Sequence, residues 1–229
     1  MPLVGGIDGC PGGWVVVTTS TTGSGPSRVE KVYDLKEIVS RLDTGLLEAV
    51  TIDTPIGLPA AGPRRCDVEA RAILGPRRSS VFPAPIRGVL GSVTYQEALQ
   101  RSRSVSGKGL SKQAFAILPK IEEVDALMTP ERQERLVEVH PEVSFTVLTG
   151  GPMAHHKRSP EGRAERLAAL GRVFGDVQDH VHQRLGGVAT HDIVDAFVAA
   201  WSARRWIARA HQQLGGELDE RGLRMEMIA

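Results

Sequence analysis

Cysteine is scarce in this 229-residue chain: Cys10 and Cys66 are its only two, and their spacing matches neither zinc ligation nor a disulfide framework. A surplus of one charge is missing as well, with 28 Lys and Arg against 27 Asp and Glu for a net charge of +1. Strong non-specific DNA binders are commonly basic overall, and the near-zero balance gives some weight to a non-catalytic nucleic-acid or protein binder. No apolar run approaches the roughly 18–20 residues of a membrane span; Phe197–Trp201 is among the longest. The opening Met1–Gly13 has no basic stretch leading into an apolar core, so no signal peptide is expected. Repeats of solenoid period and low-complexity linkers are lacking too. These absences lead us to expect a soluble, cytoplasmic protein in a reducing compartment. What is present is ordinary globular material: 41% hydrophobic and 24% charged residues, with 25 Gly and 14 Pro to make structured turns. A single domain spanning residues 1–229 is the expectation.

The first fifty residues read as strands. Leu3–Ile7 is apolar and Trp14–Thr19 is rich in β-branched residues, and the turn residues Gly9–Gly13 between them predict a hairpin. Arg28–Tyr33 alternates like a third strand. Asp34, with Glu37 three residues on, predicts a capped helix to about Leu42. Ala49–Asp53 reads as a fourth strand stopped by Thr54-Pro55. From about residue 56 to 130 the pattern is helical but broken by Pro and Gly, which predicts a helical insertion. Its charge is segregated: Arg64–Lys112 holds ten Lys or Arg against three acids, whereas Lys120–Glu142 holds three against seven. Leu136–His140 reads as a fifth strand and Pro160–Leu185 as one or two helices. Thr190 is expected to cap a long helix to about Gln213, with Leu223–Ile228 a terminal strand. The order predicts an α/β fold with a mixed sheet.

Asp8 and Asp53 each end an apolar strand, and ligands of α/β sheets bind at strand ends. Each also suits a turn start, which Asp makes through its own side-chain oxygen. The last helix adds Asp192 and Asp195. Asp192 falls in the first turn, where the helix dipole favours a negative charge. Asp195 lies a turn further in among Ile, Val, Ala and Phe, where an unpaired buried carboxylate costs several kcal/mol. Residues three apart share a helix face, so the two acids are expected to project together. Carboxylates that converge this way need a compensating cation, and oxygen-only ligands select hard ions such as Mg²⁺ or Mn²⁺. A pair of such ions suits phosphodiester cleavage.

Glu138 and His140 would share a strand face by the period of two. Glu142 after Pro141 suits a helix start, and the segment offers Glu142 as a further ligand and His140 as a proton shuttle. A helix-start acid and a hydrogen-bonded His are the simpler explanation of them. His155-His156-Lys157-Arg158 follows a Gly-Gly-Pro turn and reads as a solvated loop. Candidate phosphate-binding residues are Arg71, Arg77, Arg78, Ser79 and Lys108, since clustered Arg and Lys with Gly and Ser donors is what phosphate requires. Gly107-Lys108 is followed by Gly109, so this is not a P-loop. Lys120, after Pro119, reads most simply as an exposed helix turn.

The segments Gly6–Trp14, Ile52–Leu58, Arg78–Pro83, Pro119–Ile121, Glu138–Glu142 and Asp192–Ala196 together resemble the domain of unknown function 429 family, catalogued as predicted nucleases of the RNase H-like fold. The resemblance runs through nearly the whole chain in order. It implies an RNase H-like mixed five-stranded sheet flanked by helices, with a helical insertion after the fourth strand. It also adds Lys120 to the candidate substrate-binding residues. The closing helix is similar to that of bacterial Holliday-junction resolvases. There an acid on the first strand, one on the fourth and a helix pair bind Mg²⁺. Carried over, those roles fall on Asp8, Asp53, Asp192 and Asp195. The resolvases usually have Glu on the fourth strand, a methylene longer than Asp53, and lack the insertion.

The function expected is a metal-dependent nuclease or phosphodiesterase acting on DNA or RNA with Mg²⁺ or Mn²⁺. The alternatives are a phosphotransferase or ATPase of the actin and sugar-kinase type, whose second glycine loop would have to be Gly150-Gly151 or Gly186-Gly187, and a non-catalytic nucleic-acid binder.

Overall fold

A computed structural model describes residues 1–229. The chain runs through β1 (Leu3–Cys10), β2 (Gly13–Ser20), β3 (Arg28–Val32), α1 (Lys36–Asp43) and β4 (Ala49–Ile52). The insertion follows: α2 (Arg65–Leu74), a 3-10 turn at Gly75–Ser80, α3 (Tyr95–Ser106), α4 (Lys112–Ala116), α5 (Leu118–Leu127) and α6 (Pro130–Gln133). Then come β5 (Leu136–Glu138), α7 (Pro141–Thr149), α8 (Pro160–Leu170), α9 (Val177–His180), α10 (Thr190–Ile207) and the strands β6 (Gln213–Leu218) and β7 (Arg224–Ile228).

Five strands form one sheet in the order β3-β2-β1-β4-β5. β1, β2 and β3 are antiparallel neighbours, and β4 runs parallel to both β1 and β5. This mixed sheet, flanked by helices and with the helical insertion after its fourth strand, is an RNase H-like arrangement. The β1–β2 hairpin turns through Pro11-Gly12, where proline presets one turn position and Gly12, at φ 69°, takes the left-handed one.

β2 is apolar without alternation because both its faces are buried. Trp14 and Val16 point into one core with Ile38 and Leu42 of α1, while Val15 and Val17 point into another with Phe197 of α10 and Phe145 of α7. Each such aromatic or branched side chain contributes about 1.5–3 kcal/mol by leaving water. α10 lies unusually close to the sheet. A Cβ at Gly6 would sit 2.0 Å from the Ala200 nitrogen and 2.3 Å from the Ala196 oxygen, so glycine on the strand and alanines on the helix permit the contact. The Thr51 hydroxyl, fully buried, donates to the Ala199 carbonyl at 2.6 Å and fastens β4 to the same helix.

Three expectations need correction. Thr190 is the first residue of α10 rather than its cap, and the helix ends at Ile207, not near Gln213. Arg209 takes φ 53°, and Gln213–Leu218 pairs with β7 as a strand the sequence reading lacked. β5 stops at Glu138, so Glu138 and His140 do not share a strand face: the Glu138 carboxylate takes two bonds from buried Arg64 and one from the Ile56 N–H. Finally, the segregated charges face each other. Arg64, Arg77 and Arg87 of the basic stretch pair with Glu138, Glu142 and Asp125 of the acidic one. No helix is long and apolar enough to cross a membrane.

Candidate active site

Asp8 and Asp53 meet because β1 and β4 are parallel and in register. Ile7 pairs with Ile52, and the Asp53 N–H donates to the Ile7 carbonyl at 3.0 Å, so the next residue of each strand stands side by side. The two carboxyls interact directly, each shifting the other's proton affinity. The Gly9 N–H holds one Asp8 oxygen at 2.8 Å. Asp195 reaches the same place from α10, one turn into the helix, because that helix rests on β1 at Gly6.

The cation among these acids is Lys157, whose polar neighbours in sequence predict a solvated loop instead. Its Nζ lies 2.6 Å from Asp195 Oδ2 and interacts with Asp8 and Asp53 as well. The loop carrying it is pinned to α8. The Ser159 hydroxyl caps that helix at the Gly162 N–H, Glu165 accepts the N–H groups of Ala154 and His155, and a Cβ at Gly162 would sit 2.0 Å from the His156 oxygen. Gly162 is the signal that could have pointed here, since only glycine lets the helix approach that backbone.

Burial dominates the electrostatics. It lifts the proton affinity of Asp8 well above the ordinary carboxylate range, and the neighbouring Asp53 and Asp195 charges raise it further. Burial also raises Asp53, against the opposing pull of His140 and Lys157. Asp195 is pushed up to about 6 by burial even with Lys157 against it. One Asp195 oxygen, Oδ1, is buried and has no hydrogen-bond partner.

Around this centre the remaining candidates divide. Asp192 does not project with Asp195: its Oδ2 accepts the Ala189 N–H at 3.0 Å and caps its own helix, and Oδ1 faces His191 at 3.3 Å. Its charge is still felt by Asp8. Glu142 lies near Asp53 and Asp195 but is held by buried Arg166 at 2.6 Å, leaving Oε2 facing Arg77 at 3.8 Å. His140 places Nε2 3.2 Å from the Ser80 carbonyl, which can only accept. The other ring nitrogen, Nδ1, is buried and has no hydrogen-bond partner, and the ring's charge acts on Asp53.

Two contacts, His140 to Ser80 and Glu142 to Arg77, bring the 3-10 turn Gly75–Ser80 to the site's edge, with Arg78 and Ser79 exposed on it. Arg71 does not reach outward; it donates to the carbonyls of Arg78 and Val81 and shapes that turn. Lys108 sits at the end of α3, and its ammonium makes no hydrogen bond or ion pair, so nothing ties it to the acids. Lys120 is not an exposed helix turn. It packs over Trp14, 3.9 Å from the ring centroid, donates to the Gly13 carbonyl at 2.5 Å and lies against Gly9.

The profile of a family described as "Protein of unknown function (DUF429)" matches residues 6–218. The chain belongs to this family. No curated protein and no solved structure matches it. The matched span takes in Asp8, Asp53, Asp195 and Lys157 alike.

As they stand, no three His, Cys, Asp or Glu side chains are drawn together tightly enough to hold a metal ion; Lys157 lies among the acids instead. In donor type and charge the set nevertheless fits a hard divalent cation. Its acids offer only oxygen, one buried oxygen is unpartnered, and three buried carboxylates hold protons more tightly than usual. The double glycines have other work: Gly150 ends α7 at φ 82°, and the Gly186 carbonyl accepts Lys31.

Proposed function

We propose that this chain hydrolyses phosphodiester bonds in nucleic acid at the β1–β4–α10 junction, using Mg²⁺ or Mn²⁺ held by Asp8, Asp53 and Asp195. The observation that carries the reading is the meeting of three carboxylates from three separate elements, each with raised proton affinity and one with an open buried oxygen. A divalent ion bound there would lower the pKa of a coordinated water and offset charge on the phosphate. The chain's own residues supply the rest. Asp8, fixed by the Gly9 N–H, and Asp53, fixed by its strand register, stand side by side as oxygen donors that such an ion would draw in. His140, whose buried Nδ1 has no partner, would serve as the proton shuttle. Arg77 and Arg78, on the turn bordering the site, supply charge for the phosphate backbone with Ser79 beside them as a further donor, and the half-buried Lys120 adds a cation against Gly9. Asp192 supports the site by capping α10.

The test is cleavage of DNA and RNA substrates with Mg²⁺ or Mn²⁺ by the wild-type chain and three variants. Asp8→Asn and Asp195→Asn should each lose at least a hundredfold in rate, about 2.7 kcal/mol of barrier. Asp192→Ala should keep most of the rate and lose about 1 kcal/mol of folding stability with its cap. Equal activity in Asp8→Asn and wild type would refute the reading.

A further inference from the structure

Aromatic side chains are few in this chain, five Phe, three Trp and two Tyr, and packing leaves only Tyr33 and Phe82 exposed, at 72% and 48%. Single exposed apolar side chains are ordinary on a protein surface. What sets this pair apart is where the fold puts them. β1, β4 and β5 run parallel, and β2 and β3 alternate in direction beside β1, so Asp8, Asp53, His140 and Tyr33 all stand at one end of the sheet. Tyr33 follows the last residue of the edge strand β3, and His140 lies just past β5 at the opposite edge, with the acids between them.

At the β3 edge, Asp8, Val15 and Lys31 are paired in one row across three strands, so Lys31 shares the sheet face of Asp8. The Lys31 ammonium lies 5.0 Å from the centre of the Tyr33 ring and donates to the carbonyls of Pro11 and Gly186. Those bonds fasten the edge to the β1–β2 turn and to the loop before α10. Lys120, bonded to the Gly13 carbonyl and packed against Gly9, is a second cation on the same hairpin. At the β5 edge, the Ser80 carbonyl meets His140 Nε2, and Val81 turns into the core with Val143. Phe82, the next residue, is left outward, four positions after the exposed Arg78. Each edge therefore carries one open ring and at least one cation. Four strand spacings separate the two edges, about 19 Å.

A duplex keeps its bases stacked inside and offers phosphates and groove edges, whereas an unpaired strand offers base faces on which aromatic side chains stack. We propose that Tyr33 and Phe82 stack bases on either side of the acid cluster, so that the site takes single-stranded nucleic acid in preference to duplex. Lys31 and Arg78 then meet the phosphates of the stacked nucleotides. This rests on the phosphodiesterase reading above and names the form of substrate that site receives.

The experiment is anisotropy binding of fluorescein-labelled oligonucleotides of about 12 nucleotides, as single-stranded DNA, single-stranded RNA and duplex DNA. EDTA is present throughout, so that binding is read apart from any metal-dependent cleavage. The variants are Tyr33→Ala, Phe82→Ala and, as a control exposed at the opposite end of the sheet, Leu46→Ala. Wild type and the control are expected to bind single strands about tenfold or more tightly than duplex. Each of the other two variants should lose about fivefold or more of single-strand affinity at an unchanged salt slope, because a stacked ring releases no counterion. Equal affinity for single strand and duplex, or wild-type affinity in either folded variant, would overturn this proposal and leave the phosphodiesterase reading to its own cleavage test. Single strands bound through both rings, yet cut with neither Mg²⁺ nor Mn²⁺, would overturn the phosphodiesterase reading and leave the stacking surface standing. No nucleic acid bound by wild type would overturn both. Should an alanine variant fail to fold, Tyr33→Leu or Phe82→Leu, which keeps apolar bulk without a ring, takes its place under the same expectation.

Discussion

At the scale of single residues, the site is a contest between burial and charge. Asp195 is fully buried with a lysine on one oxygen and nothing on the other, and burial still wins, holding its proton to about pH 6 against the ordinary 3.8. A folded state that binds the proton more tightly than the unfolded chain gains stability as pH falls through that window and loses it as pH rises. With EDTA present, the wild-type chain should therefore gain Tm relative to Asp195→Asn as pH is lowered from about 8 to about 5. A Tm difference that stays constant across that range would contradict the assignment. Much of this residue-level picture was legible beforehand. Asp8 and Asp53 stood out as acids ending apolar runs, although β1 continues past Asp8 to Cys10, and Asp195 stood out as an acid inside an apolar helix. Lys157 was not legible: polar neighbours in sequence make it read as solvated, and only its loop's docking on α8 turns it inward. Asp192 shows the reverse, because spacing places two acids on one face but not which of them bends back to its own helix end.

At the scale of elements, the site depends on how closely α10 lies on β1. Gly6 has no room for a side chain, so Gly6→Ala must push the helix off the strand that carries Asp8. Overpacking of this kind costs about 1–3 kcal/mol. The substitution is expected to lower stability in urea unfolding by that order and to weaken Mn²⁺ binding by at least tenfold. Unchanged Mn²⁺ affinity in a folded Gly6→Ala chain would show that the helix contact does not set the site. The five sheet strands, α1 and the insertion followed from hydrophobic runs and punctuation. The end of α10 did not, because Ala208–Gln212 has helix-forming residues; the turn at Arg209 and pairing of β6 with β7 are long-range effects. The short β5 likewise ends where Arg64 and the Ile56 N–H claim Glu138.

At the scale of the molecule, a net charge near zero conceals an internal pairing. The basic and acidic halves of the segment from Arg64 to Glu142 answer each other through Arg64–Glu138, Arg77–Glu142 and Arg87–Asp125. In the fold, Arg64–Glu138 ties the insertion to β5, Arg77–Glu142 ties it to α7, and Arg87–Asp125 closes the insertion on itself. What stays outward at the site's edge is the turn bearing Arg78 and Ser79, a small basic lip beside a strongly acidic centre. All of this converges on the ends of β1 and β4, and the central claim is that the acids gathered there hold a divalent ion. The most direct measurement is an anomalous-difference map from crystals of the full chain soaked in Mn²⁺. The account predicts a peak bonded to oxygens of Asp8, Asp53 and Asp195; a map with no peak there, or with Mn²⁺ bound only elsewhere on the surface, would contradict it.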